Sequence, residues 1–216
     1  MQDIIKILKK HEANELNKWY ELDEATKEKF IRDIALFARQ NEATIIAYCQ
    51  SVIPSYFSTL SIVYEALSKD DARWNHFLFD EIIRVNELIK RKKIPIQTLE
   101  VLSDIDAENI YKEQSLYVEL INYLVAQLNP NYTDNYIIAV LDLLDWYLME
   151  LFIEDQIAEA NHWYSKIKNI HDQTVNKNVK RLAIESMMHL EELIKVERPS
   201  VMQSLRDFFD QNSSLS

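Results

Sequence analysis

The chain has 216 residues, is 48% hydrophobic and 27% charged, carries a net charge of −11, and contains no glycine, four prolines and one cysteine. Such length and apolar content support a substantial core and argue against disorder over most of the chain. Without glycine, hairpin turns and bulges lose their usual residue for positive φ, which disfavours a β-rich fold, and Gly-rich phosphate loops, dinucleotide fingerprints and nucleophile elbows are excluded.

Apolar residues recur at helical spacing almost throughout, and alternation over strand lengths is missing, so the expected fold class is all-α. From the N-terminus, MQDIIKILKKHEANELNK turns charged before an apolar run develops, which gives a helix over 2–20 and no export leader. Further helices are expected over 24–40, 42–52, 54–68, 70–92, 95–103 and 106–128. Pro54, Pro95 and Pro199 suit a first helical turn, while Asp70 and Thr133 suit N-caps. The basic run Lys90 to Lys93 suits a helix C-terminus, where positive charge complements the dipole. Cys49, the sole cysteine, has no partner for an internal disulfide and lies in an apolar setting, which fits an inert core thiol in a reducing compartment.

The next helix is expected over 133–169, with a break near Asp155, followed by helices over 174–196 and 199–211. Its middle, DLLDWYLMELFIEDQIAEA (Asp142 to Ala160), combines aromatic residues with Asp142, Asp145, Glu150, Glu154, Asp155 and Glu159 and has no Lys or Arg. Leu144, Trp146, Tyr147, Leu148, Leu151, Phe152 and Ile153 cannot share one face, so neighbours are expected on several sides. Asp142, Asp145, Met149 and Gln156 fall on one narrow stripe that water can reach. Charges at mid-span oppose membrane insertion, and a cytoplasmic protein is expected.

Composition marks no linker, so residues 1–211 read as one domain and 212–216 as a frayed tail. The apolar spacing of Asn178 to Ile194, and to a lesser degree of Thr133 to Leu151, resembles the second helix of a HEAT-type repeat. That resemblance implies irregular stacked helical hairpins. A compact multi-helix bundle is the alternative, with about 8–10 helices in either case.

Charge is unevenly distributed. Between Ile94 and Ser165 there are 13 carboxylates and one base, Lys112, a balance of −12, while the remaining residues come to +1. The same segment is rich in Tyr and Trp, which join apolar area to a polar handle. Two exposed carboxylates about 8 Å apart repel by only about 0.5 kcal/mol in water, so folding tolerates such a surface with or without a function. The functional expectation is a docking surface for a basic protein, with Asp142, Asp145, Glu150, Glu154, Asp155 and Glu159 as contacts and Trp146, Trp163 and Tyr164 as anchors. Direct nucleic-acid binding through it is disfavoured, because phosphates would be repelled.

Catalytic patterns are sparse. Glu159 and His162 have the Glu-x-x-His spacing of di-metal bundles, but no second pair accompanies them, so they are weak metal candidates and no cofactor is expected. Glu185 and His189 stand one helical turn apart, a spacing that arises readily by chance. Arg181 and His189 are too far apart for the Arg and His pattern of helical ribonucleases. A helical enzyme with a carboxylate and histidine metal site therefore ranks below two binding readings. One is a general helical adaptor. The other, preferred, is an inhibitor similar in general character to the immunity proteins that neutralise bacterial toxins, here a toxin acting in the cytosol. Richness in Ile, Lys, Asn and Tyr fits a bacterial source with an AT-rich genome.

Overall fold

The computed structural model describes residues 4–14, 22–54, 59–70, 72–105, 110–149 and 158–194. Among these residues the protein is all-helical, with nine α-helices, two 3₁₀ helices and no strand. The chain divides into two compact units, Met1–Tyr117 and Val118–Ser216.

The first unit contains α1 (Ile4–Asn14), α2 (Glu24–Gln40), α3 (Glu42–Ser51), α4 (Thr59–Ser68) and α5 (Asn75–Lys90), with 3₁₀ helices at Ala72–Trp74 and Ile96–Asp104. Helix α4 is its centre, packing against α1, α2, α5 and both 3₁₀ helices. Its residues are buried all round except Ser61 and Glu65, as expected for a helix apolar on every bearing. Ser61 hydrogen-bonds Asp104, and Glu65 pairs with Lys69 at 2.6 Å. Beside α4, Glu81 is buried and held by three donors: Tyr64 Oη at 2.5 Å, Arg84 Nε at 2.7 Å and Arg84 Nη2 at 2.6 Å. Arg84 also donates to the Cys49 carbonyl at 3.3 Å, tying α5 to α3. Burial, reinforced by Glu81, pushes the Tyr64 hydroxyl far above its ordinary pKa, so it stays a donor.

Local chemistry sets several ends. Asp23 caps α2 by accepting from the Thr26 amide at 2.9 Å. Asn41 closes α2 and opens α3, with its amide bonded to Phe37 and Ala38 carbonyls. Helix α5 ends in a Schellman arrangement: Lys92 has φ 55°, its N–H reaches Ile89, and the Lys93 N–H reaches Leu88.

Some expectations need correction. Residues 70–92 are not one helix. A turn at Lys69–Asp70 and a 3₁₀ turn precede α5, and the Asp70 carboxylate accepts from Arg39 Nε at 2.7 Å and Trp74 Nε1 at 3.3 Å instead of capping α5. Residues 96–104 are 3₁₀ and follow Pro95. The expected 106–128 helix is interrupted at Lys112–Glu113, and α6 (Gln114–Ala126) starts where the Glu113 carbonyl accepts from Leu116 and Tyr117. Within the 133–169 element, expected to break near Asp155, the described residues form α7 (Asp134–Met149) and α8 (Ala160–Gln173). Thr133 does stand at the N-cap position of α7, its carbonyl accepting from Tyr136 and Ile137. The proposed break at Asp155 and the 199–211 helix lie outside the described residues.

In the second unit, α9 (Lys177–Ile194) packs on both α7 and α8. Only Thr174 to Asn176 separates α8 from α9, making them a helical hairpin. Asn176 caps α9 by accepting from Asn178 and Val179 amides at 2.9 and 3.3 Å, and its own amide group donates to Asp134 at 2.9 Å. Thus α7 and α9 begin side by side. Farther along, Asp145 meets His189, so the two helices run parallel.

Candidate functional site

Along α7, the carboxylate-bearing turn Asp142 to Met149 places its non-core residues on one strip. Taking about 100° per residue and Asp145 as zero, Met149, Asp142 and Trp146 fall at about 40°, 60° and 100°. Asp142, Trp146 and Met149 are exposed, and Asp145 is half-buried at the edge that meets α9. The opposite arc carries Tyr136, Val140, Leu144, Tyr147 and Leu148 into the core. The stripe expected from sequence is therefore open at Asp142 and Met149, while Gln156 lies outside the described residues.

Across the seam α9 supplies Glu185, Ser186 and His189. His189 Nε2 lies 3.5 Å from Asp145 Oδ1, within ion-pair range but without a hydrogen bond to that oxygen. Ser186 is fully buried next to Asp145, with its hydroxyl turned to that carboxylate. Burial pushes the Asp145 carboxyl above its ordinary pKa, and Glu185 and Asp142 add to this, while His189 and the Ser186 hydroxyl pull it back. Arg181 is committed to Glu185, with Nη1 2.6 Å from both carboxylate oxygens. The trio Ser186, His189 and Asp145 lacks the nucleophile-to-base hydrogen bond of a hydrolase triad. What it offers is a partly desolvated carboxylate facing His189 and Ser186.

The other proposed contacts are placed differently. Trp163 is a correction: it is fully buried, and its Nε1 donates to Asn122 of α6 at 2.7 Å, so it anchors the core of this unit and presents nothing to a partner. Its place in the α8 spacing with Ala160, Ile167 and Ile170 already marks it as an inward residue. Tyr164 is half-buried, and its hydroxyl reaches Glu191 at 3.4 Å. Glu159 is half-buried at the N-cap position of α8 and makes no side-chain cap bond. His162 is exposed, and among the described residues no group of three His, Cys, Asp or Glu side chains could hold a metal ion. Glu150, Glu154 and Asp155 lie outside the described residues.

The acidic excess is shared between the units. Glu100, Asp104 and Glu113 belong to the first, where Glu113 lies 3.1 Å from His76 Nε2. Glu119, Asp134, Asp142, Asp145 and Glu159 belong to the second. Among the described residues, no helix is long and apolar enough to cross a membrane. Comparison with protein-family models, characterised proteins and solved structures finds no match for this chain.

Proposed function

We propose that this is a non-catalytic protein-binding protein that docks a basic partner, most concretely an inhibitor of the immunity type acting on a cytosolic toxin. One observation carries this reading: the non-core strip of α7 sets exposed Asp142 and half-buried Asp145 beside exposed Trp146 and Met149, on a helix with no cationic residue. Carboxylates flanking exposed apolar area can steer a cationic protein and then hold it. Arg181 is already engaged by Glu185, so it leaves exposed Asp142 to an incoming cation, while Asp145 faces His189.

The test is affinity capture from the producing cells with the wild-type chain and with Asp142→Lys/Asp145→Asn. A basic protein should be retained at low salt, elute as salt rises, and bind the variant at least about tenfold more weakly. Equal retention by a folded variant, or a partner without a basic surface, would falsify the reading.

A further inference from the structure

The structure carries more than negative charge at this seam. Trp146 is 39% exposed, Met149 50% and Met188 40%. These side chains belong to α7 and α9, the parallel pair that also carries Asp142, Asp145 and Glu185. On α9, taking His189 as zero, Glu185 and Met188 fall about 40° and 100° to the side away from the buried Ser186. The seam therefore has Asp145 and His189 at its floor, Asp142 on the α7 slope, the Arg181–Glu185 pair on the α9 slope, and Trp146 and Met188 on opposite shoulders.

We propose that the occupant is a cationic amphipathic helix of a partner protein, laid along the α7/α9 seam; this rests on the basic-partner reading above. Two helices side by side form a groove whose periodicity matches a third helix. Asp142 and Asp145 are three residues apart, about 4.5 Å along the axis, so they meet Arg or Lys side chains spaced three or four apart on the incoming helix. The partner's apolar residues then meet the methionines, whose flexible thioethers adapt to varied shapes, and an Arg can stack on Trp146. Asp142 is exposed beside Trp146 and Met149, and carboxylate oxygens only accept, so the open slope of α7 takes a guanidinium or ammonium and repels an anionic ligand.

The full chain is titrated calorimetrically with three synthetic peptides of about 18 residues: an Arg/Leu amphipathic helix, a Pro-broken peptide of equal charge, and a Glu/Leu helix. The Arg/Leu helix should bind at least about tenfold more tightly than either other peptide. Trp146→Ala should weaken it by about tenfold while leaving the Pro-broken peptide unchanged, and Asp142→Lys/Asp145→Asn should weaken both cationic peptides. Equal binding of the two cationic peptides with no effect of Trp146→Ala overturns the helix proposal and leaves the basic-partner reading standing. Indifference of both cationic peptides to the charge variant overturns the reading itself, as does equal binding of the Glu/Leu helix. Circular dichroism of each variant separates lost binding from lost folding.

Discussion

Lys92 shows how a glycine-free chain stops a helix. It takes the left-handed conformation, φ 55°, at the position where Schellman motifs normally carry glycine. A side chain there costs about 1–2 kcal/mol, partly offset because glycine loses more freedom on folding. Lys92→Gly should therefore raise stability by about 0.5–1 kcal/mol in urea denaturation. Glu81 is the opposite case. Its buried carboxylate organises Tyr64 and Arg84, and Glu81→Ala should cost about 3 kcal/mol by leaving Arg84 without its main counter-ion. The KRKK run reveals the end of α5 in the sequence, but only the backbone shows which lysine turns left-handed. Nothing in local spacing pairs Glu81 with Tyr64, because that contact depends on α4 meeting α5.

Helix boundaries were legible where side chains cap them and obscure where apolar spacing runs through a turn. The expected 24–40 and 42–52 elements agree with α2 and α3 to within a residue; the Asp23 side chain caps α2, and the Asn41 backbone amide closes it. Across 70–92 the periodicity continues, but Asp70 is taken by Arg39 and Trp74, leaving a turn where one helix was expected. At α9, capping by Asn176 places the start at Lys177. Asn176→Ala should lower stability by about 1 kcal/mol in thermal denaturation. The seam was half legible: the α7 stripe follows from spacing, whereas Glu185, Ser186 and His189 join it only because α7 and α9 run parallel. Within it, burial favours the neutral form of Asp145, so the folded protein keeps this proton to higher pH than the unfolded chain does. Its ionisation weakens the native state at neutral pH; the loss is recovered as pH falls through the folded pKa and is complete below the unfolded value near about 3.9. Asp145→Asn should raise the melting temperature at pH 7 relative to wild type, with the difference shrinking towards pH 4. A gain in stability beside a loss of docking would show a residue kept for binding.

On the scale of the molecule, the two units differ in charge. Residues 118–216 contain 15 acidic and 8 basic side chains, against 20 and 16 in residues 1–117. The second unit is thus the more negative relative to its length, and it holds the proposed docking strip. Long-range attraction acts before contact and apolar packing after it, so the two should separate kinetically. Salt should slow association of a basic partner, whereas Trp146→Ala should mainly speed dissociation, as surface plasmon resonance would resolve. Overall helicity was readable because apolar residues recur at helical spacing almost throughout. The division into two units was not, since no Pro-rich, Ser-rich or charged linker marks the boundary inside α6.

Cys49 gives the first unit a built-in clock. It is the sole thiol of the chain and fully buried, and Arg84 grips its carbonyl. A chromogenic disulfide reagent therefore reacts only when residues 1–117 open, while the second unit contributes no sulfhydryl signal. Glu81→Ala should make that colour develop faster, timing the loosening of one half of the protein without any engineered label.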